Sequence, residues 1–237
     1  MRRLAPLLFA AVLAAPLAAQ PDRVFPPPAD SLAGHYGTGT GFTIHLTEFG
    51  FGLGGLVRAR VGPGTSSLVE FSLGAGKDER EQQFFVGLFG DTVTPFKRNY
   101  VLLAPLHAGI EQRLFREQIE DNFRPFVQLT VGPTAAYQWP YFDDVNENGL
   151  REEGEVRLGP FRGFGRGAFR LGVGGTLAVG AYFGRSRRSA QGVRFGYAGD
   201  YLFREVELLE PDPEVEDPAR RFFGTPVVSF HVVRLVP

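Results

Sequence analysis

The feature that most constrains this 237-residue sequence is alternation. From about Gly39 onward, apolar residues recur at every second position over stretches longer than an ordinary strand. A period of two marks a strand with two unlike faces, because successive side chains point to opposite sides of the backbone. NYVLLAPLHAGIEQRLF shows it most fully: Tyr100, Leu102, Ala104, Leu106, Ala108, Ile110 and Leu114 fall on one face, His107, Glu111 and Arg113 on the other. In FRPFVQLTVGPTAAYQW, Val127, Leu129, Val131, Ala135 and Tyr137 oppose Arg124, Gln128, Thr130, Thr134 and Gln138. FRLGVGGTLAVGAYF sets Phe169, Leu171, Val173, Leu177, Val179, Ala181 and Phe183 against Arg170, Thr176 and several glycines. VRFGYAGDYLF sets Val193, Phe195, Tyr197, Tyr201 and Phe203 against Arg194 and Asp200. Looser alternation covers Phe42–Leu46, Leu53–Val61 and Val69–Leu73, and in TPVVSFHVVRL the register with Val228, Phe230 and Val232 on the apolar face is adopted.

These segments predict eight strands. Several exceed the five or six residues usual in soluble sheets and reach the nine to eleven that a membrane-spanning strand needs. Short connections (PGTS, the REQIEDN stretch, RSRRSAQ) alternate with long ones at 77–98, 139–168 and 204–224, and only the first, near Glu48–Gly50, is short where the pattern asks for a long one. Short turns at one end and long loops at the other is the arrangement of an outer-membrane barrel. The predicted fold class is therefore all-β, an eight-stranded antiparallel up-and-down transmembrane β-barrel.

Alternation alone does not say which face meets water, since a soluble lipocalin-type barrel alternates with its apolar face inward. Three features favour lipid outside. The apolar face carries no ionised residue along the middle of the best strands, where a charge costs about 2–4 kcal/mol. Tyr100, Phe115, Tyr137, Trp139, Phe169, Phe183, Tyr201 and Phe203 cluster toward strand ends, as an aromatic girdle does. The polar face mixes glycine with arginine and carboxylates and has no lysine; the two lysines, Lys77 and Lys97, fall in predicted loops. Arg58, Arg60, Arg113, Arg124, Arg170 and Arg194 are then expected to pair with Glu70, Glu111 and Asp200 in a filled polar lumen, as eight strands leave only room for side chains.

The N-terminus MRRLAPLLFAAVLAAPLAAQ has a basic start, a short apolar run and small residues before Gln20, the layout of a signal peptide cut after Ala19. Three parts are expected: a signal peptide at 1–19, a proline-rich periplasmic segment at 20–38, and the barrel at 39–237. The mature chain has no cysteine, hence no disulfide, thiol chemistry or lipid-modified cysteine. A formal net charge of −1 argues against nucleic acid as a partner. The partners expected are outer-membrane lipid and, during biogenesis, the barrel-insertion machinery.

One stretch stands apart. DVNENGLREEGE places Asp144, Asn146 and Asn148 at alternate positions, follows them with Gly149, and closes with Glu155. Hard calcium wants several oxygens around a sharp glycine turn. Asp144, Asn146 and Asn148 would give side-chain oxygens, Leu150 its carbonyl, Glu152 a direct or water-bridged contact, and Glu155 a bidentate carboxylate. Arg151 stands where an EF-hand keeps an apolar residue, and such segments are also plain turn formers. A calcium loop and a solvated acidic turn are both compatible with it, and calcium is the one cofactor to consider.

No catalytic residue is expected. His107 with Glu111, and Ser229 with His231, share strand faces, but neither has a supporting motif. The acidic EVELLEPDPEVEDP reads as a solvated loop.

Signal peptide, eight alternating strands and glycine-aromatic stretches such as RPFVQLTVGPTAAY and QGVRFGYAGDYLF resemble the small eight-stranded outer-membrane barrels of the OmpA and OmpX kind. KRNYVLL, GIEQRLF and DNFRPFVQLTVGP are more particularly similar to barrels of Bacteroidota-type bacteria. The resemblance implies localisation to the bacterial outer membrane, long loops outside the cell, and a non-enzymatic structural or surface-interaction role. Such barrels end on an aromatic residue read by the insertion machinery; HVVRLVP instead ends on proline, with Phe230 inside the strand. A soluble periplasmic lipocalin-like binder and a small channel are the alternatives.

Overall fold

The structure, a computed structural model, describes residues 38–82, 84–86, 91–116, 118–119, 122–184, 189–211 and 219–235. The expected signal peptide, and all of the proline-rich segment except Thr38, lie outside the described residues. Each alternating stretch is a strand: β1 (Gly39–Thr47), β2 (Gly50–Gly62), β3 (Thr65–Gly76), β6 (Asn99–Arg113), β7 (Phe123–Pro140), β8 (Ala168–Phe183), β9 (Ser189–Glu207) and β10 (Ala219–Leu235). Two short strands, β4 (Phe84–Val86) and β5 (Asp91–Val93), pair as a separate hairpin inside the 77–98 connection.

The eight long strands close into a barrel in the ring order β1, β10, β9, β8, β7, β6, β3, β2. Neighbours around the ring run antiparallel, and the ring closes where β1 pairs with β10 from Gly39↔Leu235 to Thr47↔Val227. Closure leaves the wall no free edge, so its backbone amides and carbonyls find partners within it. One end, the turn end, carries the start of β1, the end of β10 and the connections at 63–64, 114–122 and 184–188. The opposite loop end carries every long connection and the tight β1–β2 turn at Glu48–Phe49.

The faces fall as the alternation predicts. Phe42, Leu53, Val57, Val69, Leu106, Ile110, Leu129, Val131, Leu177, Phe195, Phe230 and Val232 point outward and are exposed, whereas Arg58, Glu70, His107, Glu111, Arg124, Arg194, Asp200, Ser229 and His231 point inward and are buried. The register adopted for β10 is the observed one.

The lumen corrects one expectation, that it is polar throughout. Its middle is polar, but apolar side chains cluster toward both ends, at the turn end in the company of Arg58, Glu111 and Arg124. Phe49, Val101, Leu103, Leu202, Val206, Leu208 and Phe223 cluster at the loop end. Leu56, Phe126, Tyr182, Ala190, Val233 and Leu235 cluster at the turn end. Runs such as Val101-Leu102-Leu103 and Tyr201-Leu202-Phe203 are apolar on both faces, so the inward members were hidden inside what looked like an outward pattern.

Candidate functional site

The polar middle of the lumen is built around one ion pair. Arg194 on β9 donates from Nη2 to Glu70 Oε1 at 2.6 Å and from Nη1 to Glu70 Oε2 at 2.8 Å. β9 and β3 lie four strands apart in a ring of eight, so this bidentate contact bolts opposite walls together. The planar guanidinium fork suits such a contact, which lysine would not reproduce. His45 Nε2 on β1 approaches Glu70 Oε1 at 3.3 Å, and Gln128 Nε2 donates to Glu70 Oε2 at 3.4 Å.

Nearer the turn end, Arg58 donates to Glu111 Oε1 at 2.6 Å and to Ser66 Oγ at 3.2 Å, while the Tyr182 hydroxyl donates to Glu111 Oε2 at 3.1 Å. The Arg58 guanidinium also lies 4.9 Å from the centre of the Tyr182 ring. Nearer the loop end, Asp200 accepts a hydrogen bond from the Thr134 hydroxyl and lies 3.6 Å from His107 Nε2. Of the expected arginine partners, Arg58 and Arg194 take Glu111 and Glu70, and Asp200 is served by Thr134 and His107. Arg60 and Arg170 instead bond backbone carbonyls, Arg60 that of Gly62 and Arg170 those of Glu205 and Phe169.

The two pairs weighed on the sequence come apart. Glu111 bonds Arg58 and Tyr182, and His107 faces Thr134 and Asp200. Ser229 bonds not His231 but His45, whose Nδ1 lies 2.9 Å from Ser229 Oγ, and His231 Nδ1 lies 3.2 Å from Thr43 Oγ1. Cross-strand neighbours on β1 and β10 are brought together by barrel closure, which no spacing within one strand reveals. Ser229, His45 and Glu70 thus follow in the order of nucleophile, base and acid. The resemblance stops there: Ser229 is 0% exposed, and both oxygens of Glu70 accept from Arg194. Cavities of about 90 Å³ and 40 Å³ lie on the loop and turn sides of this polar layer. Ser229 lines neither of them.

At the loop end the long connections are stitched to one another. The backbone N–H of Arg98 donates to Leu208 O at 2.8 Å, that of Glu210 to Phe96 O at 2.8 Å, and that of Tyr141 to Arg98 O at 2.9 Å. Lys97, one of the two loop lysines, is buried and donates to Glu81 Oε2 at 2.5 Å. Asp78 accepts from Arg80 at 2.9 Å and from Arg220 at 2.8 Å.

The candidate calcium stretch is the tip of a small hairpin whose legs meet at Phe142 and Arg157. Asp144 accepts from the amides of Asn148 and Gly149 at 3.1 and 2.8 Å; Asn146 accepts from that of Asn148 at 3.1 Å, and Asn148 from that of Leu150 at 2.7 Å. Glu155 reaches back to the amides of Val145 and Glu152 at 2.9 and 3.0 Å, and Glu152 Oε1 accepts from Asn148 Nδ2 at 2.8 Å. Gly149 holds a φ of 77°, a left-handed conformation that favours glycine. Among the described residues, no group of three or more His, Cys, Asp or Glu side chains is gathered to hold a metal ion. Any cation here would draw on the asparagines and the Leu150 carbonyl as well as carboxylates.

No protein-family model matches the sequence, and no curated protein matches it. Among solved structures, the chain is similar to the neisserial surface protein A at 9% identity and a TM-score of 0.43, over 82% of this chain and 92% of that one. It is similar to the N-terminal β-barrel domain of Pseudomonas aeruginosa OprF at 7% identity and a TM-score of 0.35, over 84% and 98%. It is also similar to Ail, the attachment invasion locus protein of Yersinia pestis, at 10% identity and a TM-score of 0.36, over 84% and 97%. The likeness is one of fold.

Two outcomes follow from the ion pairs. Arg194→Ala leaves Glu70 charged, buried and short of its main partner, and should cost about 3–5 kcal/mol. The double change Arg194→Met with Glu70→Leu should recover most of that, read as urea midpoints of the refolded protein.

The second concerns pH. Burial alone raises the Asp78 carboxyl, but hydrogen bonds from Arg80, with the charges of Arg220 and Arg80, reverse this and hold it below its ordinary value. A carboxyl depressed in the folded state adds stability above its unfolded value, about pH 4, and loses it as pH falls through the folded value. The thermal midpoints of the wild type and Asp78→Asn should therefore differ near neutral pH and converge as the pH falls below about 4.

Proposed function

We propose that this chain is a non-catalytic integral β-barrel of the bacterial outer membrane, with a sealed lumen and a working surface formed by its long loops. The supporting observation is the outer wall. Outward positions along the middle of all eight strands carry no ionised side chain, and large apolar residues stand open there, Val131 at 62% and Phe195 at 58% exposure among them. A soluble protein rarely shows a contiguous apolar patch beyond a few hundred Å²; here one encircles the barrel. Charged outward residues come only near the ends, as with the Glu205–Arg221 pair at 2.7 Å and Arg234.

The alternatives fare worse against the same side chains. A lipocalin-like binder needs an apolar ligand cavity of about 300 Å³ or more, whereas the cavities beside the charged layer of this lumen measure about 90 and 40 Å³, and the roomier pocket of about 390 Å³ at the loop end is lined by Glu48, Asp78, Glu79 and Glu81. A channel needs a continuous aqueous path, and the Arg194–Glu70 strut and the apolar cluster of the loop end stand across it. Outer-membrane lipid and the barrel-insertion machinery are the partners this reading requires.

Membrane fractions from cells expressing the full chain are the test. The protein should stay in the pellet after carbonate extraction and run as a folded band that shifts only on boiling. Val131→Arg, at the middle of β7, should weaken assembly by about 2–4 kcal/mol and deplete that band. Release of the wild type into the soluble fraction, with no heat shift, would sink the reading.

A second reading concerns the loop tip. We propose that 144–155 binds calcium through Asp144, Asn146, Asn148, Leu150, Glu152 and Glu155, rigidifying a loop that has no disulfide to hold it. It is favoured by the side-chain oxygens of Asp144, Asn146 and Asn148 already being turned inward onto successive amides around the Gly149 turn. Isothermal titration should give a dissociation constant of about 0.1–1 mM, as in extracellular modules, abolished by Asp144→Ala with Glu155→Gln. A titration with no saturable heat would leave the segment a solvated turn.

A further inference from the structure

The connection between β7 and β8 does not simply rise from the barrel. Its second half, residues 158–167, folds back along the outer wall. Three outward aromatic side chains hold it there through backbone carbonyls. The Tyr100 hydroxyl donates to Leu158 O at 3.3 Å, Trp139 Nε1 donates to Pro160 O at 2.7 Å, and the Tyr137 hydroxyl donates to Phe164 O. The Phe164 ring packs on Tyr137 and Trp139 with centroids 4.7 and 5.2 Å away. Two glycines permit the close approach: a Cβ on Gly163 would lie 2.6 Å from Pro140 O, and one on Gly167 2.4 Å from Tyr137 Cζ.

What this seated segment turns outward is apolar and basic. Phe161 is 90% exposed, and Phe164 is exposed beside it. Phe169 and Leu171 continue the same apolar surface into the outer face of β8. Arg162 and Arg166 alternate with these phenylalanines and are exposed; Arg166 pairs with Asp143 at 2.7 Å. The sequence holds no carboxylate between Glu155 and Asp200, although the loop end around it is rich in them. The segment itself thus carries no carboxylate, and Asp143 from the preceding leg of the connection meets Arg166.

We infer that residues 158–167 form a foot that binds the phosphate groups of anionic lipid at the rim of the barrel, with Phe161 and Phe164 entering the acyl boundary and Arg162 and Arg166 meeting the headgroups. The inference rests on the membrane reading above. It commits to lipid because the exposed phenylalanines are continuous with the lipid-facing wall, and because basic side chains beside an apolar tip match an anionic headgroup over its acyl chains. Arginine also matches phosphate geometry with its paired donors.

Trp139 is the only tryptophan in the chain and lies directly beneath the foot, so the native protein carries its own reporter. The full chain is folded into phosphatidylcholine vesicles containing phosphatidylglycerol, with brominated acyl chains on one lipid or the other at equal mole fraction. Trp139 should be quenched more by brominated phosphatidylglycerol, with a local enrichment of about threefold or more, since each basic side chain near an anionic surface favours it several-fold. Arg162→Gln with Arg166→Gln should equalise the two lipids, and raised salt should diminish the preference. Equal quenching in the wild type, or a preference that survives the double variant, would overturn the foot. Trp139 shielded from both lipids and cross-linkable to another chain at residue 161 would overturn it in favour of a protein interface. Failure of the protein to float with vesicles at all is a different result, and refutes the membrane barrel instead.

Discussion

The β1–β10 ladder is the contact on which the rest of the wall depends. Seven of the eight barrel pairings join strands that follow one another in the chain, apart from the small β4–β5 hairpin, and form with local connections. The eighth joins the first barrel strand to the last, across almost the whole sequence, from Gly39↔Leu235 to Thr47↔Val227. Without it the sheet has two raw edges, each a row of unpaired amides and carbonyls that hydrocarbon cannot satisfy. Closing it also brings Ser229 to His45 and His231 to Thr43, so the polar lumen is completed by the same event.

Closure in turn forces the chain to fill a narrow interior. A lumen of eight strands admits side chains and little else, and this one is charged in the middle, apolar toward the loop end, and mixed at the turn end, where Arg58, Glu111 and Arg124 sit among Leu56, Phe126 and Tyr182. The charged layer is expensive to desolvate, and a buried ion pair often contributes little to stability. Its geometry suggests what it supplies instead. Arg194 and Glu70 join opposite walls, and Arg58, Glu111 and Tyr182 join β2, β6 and β8, so the barrel's cross-section is fixed by directional contacts rather than by hydrocarbon that would tolerate several packings.

The outside divides the labour differently. Outward positions of the wall are apolar and exposed, and Val, Leu and Phe recur there without a particular partner. Specific contacts return where the wall ends. Tyr100, Tyr137 and Trp139 present an apolar body to the wall and a polar atom to a carbonyl, as aromatic residues at a membrane interface do. Here those carbonyls come from the protein's own loop, so the girdle doubles as the seat of residues 158–167. The 144–155 tip stands above it on a hairpin of its own, joined at Phe142 and Arg157.

How much of this was legible in the sequence depends on the range of the interaction. Strand identity, face and register in β10 follow from a period of two, which is local: Leu129 and Gln128 point to opposite sides whatever the rest of the chain does. The number of strands and the alternation of short and long connections follow from the same pattern, and together they name the barrel. The partners inside it do not follow. That His45 rather than His231 meets Ser229, that Arg194 finds Glu70 four strands away, and that Val101, Leu103 and Leu202 turn inward as a plug are consequences of closure and of how a ring of fixed radius fills. The seat of residues 158–167 was also invisible, because Gly163 and Gly167 read as ordinary loop glycines until the wall lies against them. The sequence alone determined which residues share a face of each strand, because backbone geometry sets that two residues at a time. Tertiary structure alone decided which inward groups meet, because that depends on contacts between strands far apart in the chain.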